Sequence, residues 1–150
     1  MLTRLEINNF AVISESIFEP KEGLNVISGE TGAGKSLLID AIDLILGGKA
    51  SKNLIRTGED YAYVEAVFDI SSIRDQSLDD ILKDSGIDAE EGMLVISQQV
   101  KDLWKPEDGG KADIADIMIR IVRTPNMTLG EKVAVQIGHP EKGEGIDKLI

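Results

Sequence analysis

The octet GETGAGKS at residues 29–36 constrains this chain more than any other feature in it. It fits the spacing G-x-x-x-x-G-K-[ST]. It stands between the short apolar run LNVI at 24–27 and a segment, 36–46, that is apolar almost throughout except at Asp40 and Asp43. A strand, a glycine-rich turn and a helix in that order form a cup for phosphate. Gly29, Gly32 and Gly34 allow positive φ angles and leave no Cβ between backbone and ligand. The amides of Glu30, Thr31 and Ala33 can then turn inward with those of the glycines, forming a nest for β-phosphate oxygens. The helix that starts near Lys35 adds its unpaired N–H donors and the positive end of its dipole. Lys35 serves as a point charge for β- and γ-phosphates, and the Ser36 hydroxyl as a ligand for Mg²⁺. The competing account is a glycine-rich turn that merely contains Lys-Ser, and the flanking strand and helix argue against it.

Around this motif the first ninety-seven residues alternate short strands and helices. Thr3, Leu5 and Ile7 alternate with Arg4, Glu6 and Asn8, the period of a strand with one buried face. A second apolar stretch at 13–18 ends at Pro20, residues 21–23 turn, and 24–27 reads as a third strand entering the glycine loop. The helix at 36–46 is apolar round most of its circumference, so it expects cover on more than one side, and Gly47 and Gly48 stop it. Val64, Ala66, Phe68 and Ile70 mark another half-buried strand, and a short helix opens at Ser77 and closes at Gly86. Residues 93–96 form the next strand.

After residue 97 the composition changes. Residues 105–110 are a loop; Ile114, Ile117, Met118 and Ile121 keep helical spacing, with Asp113 and Asp116 early and Arg120 and Arg123 late. Val133, Val135 and Ile137 alternate like a strand, and the last ten residues read as frayed. The expected division is therefore a lobe at 1–97 and a separate segment at 98–150, poorly ordered against it.

Composition narrows the function classes. The 150 residues carry a net charge of −11, against a chain-wide surface for DNA, because phosphate neutralisation needs clustered Lys and Arg. With no cysteine there is no disulfide framework and no thiolate metal site. No stretch approaches the roughly 20 apolar residues of a membrane helix, so no membrane partner is expected. The acidic stretch 65–91, whose only bases are Arg74 and Lys83, reads as a solvated helix face and its loops. His139 reads as a loop residue, and Trp104 between Lys101 and Lys105 is a weak base-stacking candidate. Asp69 is a minor candidate for magnesium; Gln98 and Gln99 read as the polar exit of a strand. Asp40 and Asp43 serve solubility or a local salt link.

Beyond the generic motif, the runs LEINNFAVI at 5–13, GLNVI at 23–27, GETGAGKS, IDAI at 39–42, LGGKAS at 46–51, IRTG at 55–58 and VEAVFD at 64–69 resemble the start of the RecN family of bacterial DNA repair proteins. That family belongs with the SMC-like ATPases, whose ABC-type heads cap long coiled coils. The resemblance covers residues 1–97. It implies an α/β fold: the P-loop NTPase lobe of an ABC-type head, a mixed sheet around the P-loop helix. It implies ATP and Mg²⁺ as cofactors, a second head as homodimer partner, DNA ends and the recombination machinery as cellular partners, and a cytoplasmic, nucleoid-associated setting. Gly29, Glu30, Thr31, Gly32, Ala33, Gly34, Lys35 and Ser36 carry over as phosphate and Mg²⁺ contacts. Asn8, Asn9 and Phe10 would lie near the base and sugar, with Asn9 the favoured nucleotide contact, and Arg56 matches an arginine that follows the family's P-loop helix.

The departures matter as much. The sequence holds no Leu-Ser-Gly-Gly signature, no apolar strand ending in Asp-Glu and no heptad run. No catalytic residue is expected in this segment, which should bind Mg-ATP and hydrolyse almost none. Residues 101–150 do not follow the family, and a shift of coding frame near residue 98 would account for that. Two rivals remain: a small P-loop nucleotide or metabolite kinase, and a non-catalytic interaction module that retains an anion site.

Overall fold

The computed structural model describes residues 1–29, 34–87, 92–102, 116–123, 134–138 and 145–149. Its frame is a seven-stranded sheet in the order β2-β1-β3-β4-β5-β6-β7. The strands are β1 (Leu2–Phe10), β2 (Ile13–Phe18), β3 (Tyr61–Asp69), β4 (Met93–Asp102), β5 (Asp116–Arg123), β6 (Ala134–Gly138) and β7 (Gly145–Leu149). Two helices, α1 (Lys35–Ile45) and α2 (Gln76–Asp84), pack against it. Every described strand pairing is antiparallel, so the expected mixed sheet is corrected to an antiparallel one. For the β1–β2 pair the physical reason is connectivity. Only two residues separate β1 from β2, and a parallel pair needs a crossover of a dozen or more.

Period two in β1 and β3 sorts side chains as the sequence predicts. Leu5, Ile7, Ala62, Val64 and Ala66 are all buried and form one core with Leu38, Ala41, Leu44 and Ile45 of α1. Glu6 and Asn8 alternate onto the opposite face, where Glu6 accepts from Arg4 at 2.9 Å and from Asn8 at 3.1 Å. A satellite core of Leu82, Ile87 and Leu94 seats α2 further along the sheet, and Phe68 and Ile96 touch both clusters. α2 begins at an N-cap Asp75, not at Ser77, because the Asp75 carboxylate accepts from the Ser77 amide at 2.9 Å.

Several expectations fail for identifiable reasons. Residues 24–27 form no strand, and Leu24 and Val26 are 91% and 77% exposed. Their run is apolar enough for a strand, but no neighbouring strand takes up its backbone groups among the described residues. Cover for α1 comes from one side only, leaving Ile39 and Leu46 exposed at 66% and 70%. Residues 116–123, read as helix, are instead β5, paired along its length with β4. Isoleucine and valine crowd that run, so it satisfies a two-residue period as well as a helical one, and the open edge of β4 decides between them. β6 confirms the strand expected near 135, while β7 pairs with β6 where fraying was expected. β4 runs on to Asp102, which places Gln98 in mid-strand, fully buried, rather than at a strand exit.

Candidate functional site

The site begins with what α1 lacks. Gly34 is its N-cap and makes no side-chain cap hydrogen bond, and the first turn contains no acid. The first ladder bond runs from the Leu38 amide to the Gly34 carbonyl at 3.2 Å. Upstream of it, the amides of Lys35, Ser36 and Leu37 meet no acceptor among the described residues. Unpaired donors at the positive end of a helix dipole are the elementary parts of an anion site. Lys35, half-buried at the first helical position, forms no ion pair among the described residues, and Ser36 is exposed beside it.

Glycine's contribution here differs from the expectation. Gly34 has φ −109° and ψ −43°, and Gly29 is absent from the positive-φ residues, so neither uses the left-handed region. What both provide is space: a Cβ built on either would meet nothing within 4 Å among the described residues. The correction follows from α1 itself, whose first bond already draws Gly34 into helical geometry. Among the described residues, open room beside unpaired amides and a lysine without an ion-pair partner fits a phosphate group and, through Ser36, a magnesium ion. Glu30, Thr31, Gly32 and Ala33, expected to line the same cup, lie outside the described residues, as do His139 and Trp104.

The residues placed near base and sugar by resemblance are sorted differently. Phe10 is fully buried in the core, and Asn8 sits on the sheet face turned away from α1. Asn9 takes φ 53°, a conformation asparagine tolerates, and Phe10 thereby reaches the buried position that strict alternation would give to residue 9. The Asn9 carbonyl accepts from the Arg56 amide at 2.9 Å, and its side-chain amide reaches Glu59 at 3.5 Å. Arg56 in turn donates to the Val12 carbonyl at 2.7 Å, and the Ala11 amide donates to Leu54. Residues 54–59 therefore strap the tip of the β1–β2 hairpin. Glu59 is a partner that sequence reasoning missed, since nothing local links it to a residue fifty positions earlier.

Asp69 caps its own turn. Its carboxylate accepts from the Ser71 hydroxyl at 2.5 Å and the Ser71 amide at 2.9 Å, and these bonds hold it below the ordinary carboxylate range. Both bonds fall on the Oδ1 atom, so the carboxylate is engaged in its own turn. Asp40 and Asp43 are exposed and form no ion pair among the described residues, which leaves solubility as their account. No group of three or more His, Cys, Asp or Glu side chains suited to a metal ion occurs among the described residues. Nor is any helix there long and apolar enough to cross a membrane.

A family model described as an AAA domain matches residues 4–103. The chain is similar to DNA repair protein RecN of Bacillus subtilis (strain 168), 40% identical over 100 residues, covering 67% of this chain and 17% of that protein. RecN of Synechocystis sp. is 51% identical over 72 residues, covering 48% of this chain and 12% of its own. RecN of Halalkalibacterium halodurans is 39% identical over 110 residues, covering 70% and 18%. The chain thus spans less than a fifth of the length of these relatives. Among solved structures, one described as "Structural biochemistry of ATP-driven dimerization and DNA stimulated activation of SMC ATPases" covers 97% of this chain and 71% of its own, at TM-score 0.44 and 17% identity. The recombination mediator protein RecF with ATP covers 97% and 28%, at TM-score 0.42 and 18% identity.

Proposed function

This chain belongs to the AAA domain family, and on that premise we propose that it supplies the nucleotide-binding lobe of an SMC-like ATPase head acting in DNA double-strand-break repair and recombination. The observation that carries the reading is the uncapped, acid-free start of α1, with no described residue crowding Gly29 or Gly34. The similarity to RecN, a DNA repair protein in each relative described, supplies the cellular context.

In this reading the amides of residues 29–36 hold the phosphate oxygens of Mg-ATP. Lys35 sets its ammonium against the β- and γ-phosphates, and the Ser36 hydroxyl faces the metal. Asn9, held at the hairpin tip by Arg56, is the proposed contact on the nucleoside side. When bound, Mg-ATP brings a phosphoanhydride whose cleavage needs a second carboxylate and a group to orient water. Asp69 is turned to Ser71, and the sequence contains neither the signature tetrapeptide nor an apolar strand ending in Asp-Glu. Binding without appreciable turnover is therefore the proposed property of this chain by itself. A second head, DNA ends and the recombination machinery are its proposed partners within a longer assembly, with the cytoplasmic nucleoid as the setting. The division into a lobe at 1–97 and a segment at 98–150 packed less firmly against it is kept as a proposal, its boundary falling inside β4. Limited proteolysis tests it, cleavage beyond 97 that spares the lobe being the expected result.

Titration of Mg-ATP into the wild-type chain and into Lys35→Ala tests the site. Measurable binding that the variant loses is expected; equal binding by both overturns the assignment. Phosphotransfer to a small acceptor at ordinary enzyme rates would move the chain to the kinase class.

A further inference from the structure

Both helices pack on the same face of the sheet. Leu5, Ile7, Val64 and Ala66 meet α1 there, and Leu94 meets α2. The cross-strand register fixes what lies on the other face. Beyond β4 it assembles Ile117, Ile119 and Ile121 of β5, Val135 and Ile137 of β6, and Ile146 of β7. Among the described residues no helix packs on that face. Beside the isoleucines, on β4, Val95 is 2% exposed yet belongs to neither helix-bearing core, so water is already excluded near the middle of this face. Adjoining β-branched aliphatics on one sheet face call for a second apolar layer. Charge on the same face is divided. The strands β2, β1 and β3 place Glu15, Glu6, Glu65 and Asp69 there against Arg4 alone. The strands β4 to β7 place Lys101, Arg123 and Lys148 there and no acid.

We propose that this face pairs with the same face of a second copy of the chain, the two sheets related by a two-fold axis along β5. Such an axis sets β5 over β5, β4 over β6 and β3 over β7, so the isoleucines of both copies meet at the centre. One cross-strand row shows the fit: Glu65, Ser97, Ile121, Val135 and Lys148 follow one another across the sheet with Ile121 in the middle. Turned about Ile121, the row lays Lys148 of each copy over Glu65 of the other. Five strands and three such rows span about 24 by 20 Å on each copy, which gives about the 1,000 Å² total that a specific interface needs. At a net charge of −11 two copies repel in most orientations, and the divided charge of this face favours the one in which its halves cross. The strands β5 to β7 lie beyond residue 103, where the family match ends, so this contact belongs to the chain's own last third. It uses the face turned away from α1 and stands independently of nucleotide.

Sedimentation equilibrium of the 150-residue chain without nucleotide tests the proposal, with circular dichroism confirming that each variant is folded. A mass that rises with concentration to twice that of one chain is expected, unchanged by Mg-ATP or by Lys35→Ala. Lys148→Glu and Glu65→Lys should each weaken dimerisation at least about fivefold, because every substitution acts twice in a two-fold contact. Combined in one chain, they should restore it to within about twofold of the wild type. A wild type that stays monomeric at every concentration overturns the inference, the face then being covered by the chain itself. A dimer that the single variants leave intact, or that the double variant fails to restore, overturns it as well. A dimer that forms only with Mg-ATP and is lost in Lys35→Ala also overturns it, and assigns the pairing to the nucleotide site instead.

Discussion

Gly34→Ala separates a glycine kept for a ligand from a glycine kept for the fold. The backbone at residue 34, with φ −109° and ψ −43°, is open to alanine, and a Cβ there meets nothing within 4 Å among the described residues. Alanine restricts the unfolded chain, which stabilises by about 0.4–1 kcal/mol. Glycine is the better N-cap residue, but the helical backbone at this position weakens that preference, so an opposing cost of similar size is its upper bound. The two nearly cancel, leaving a net change within about 0.5 kcal/mol, or roughly 2 °C in Tm for a domain of this size. Binding should respond quite differently. The new methyl occupies room proposed for phosphate, and loss of one charge-assisted hydrogen bond costs about 1.5–3 kcal/mol, at least about tenfold in Kd. Gly92→Ala is the matched control: its φ is +68° and its Cβ would lie 2.7 Å from the Ser71 Cβ, so it should lose about 2 kcal/mol of stability and keep its affinity. Urea unfolding and Mg-ATP calorimetry on the three proteins give both quantities. The reasoning is refuted if Gly34→Ala binds as tightly as the wild type, or if it is destabilised as much as Gly92→Ala.

Two further outcomes follow from the same geometry. Phe10→Ala should cost about 3–5 kcal/mol in urea unfolding, because the ring is fully buried; weakened nucleotide binding with stability intact would return Phe10 to the site. Asp69 and Asp75 are both held below the ordinary value of 3.8, each first by the hydroxyl of a serine two residues on and then by that serine's amide. Their folded-state values lie below their unfolded ones, so the stability they contribute is present above the ordinary value and lost as pH falls through the lower one. Thermal melts between about pH 5 and 2 should show Asp69→Asn/Asp75→Asn losing less stability than the wild type; parallel acid arms would refute this.

Local sequence was sufficient for every feature whose cause is local. The GETGAGKS spacing announced α1 and its start at Lys35, because a glycine-lysine junction before an apolar run contains its own stop and start signals. Period two in Leu5, Ile7, Val64 and Ala66 was enough for β1 and β3, since a half-buried strand writes its burial into alternate positions. Relations between distant segments were beyond its reach. Nothing near Asn9 foretells Arg56 and Glu59, and nothing near Phe10 says that a left-handed residue 9 will carry it into the core. Residues 24–27 and 116–123 show the limit from both sides. The first has a strand's composition without a described partner and stays irregular; the second has a helix's spacing beside the open edge of β4 and becomes β5. A backbone hydrogen bond needs its other half, and only the tertiary structure decides where that half lies.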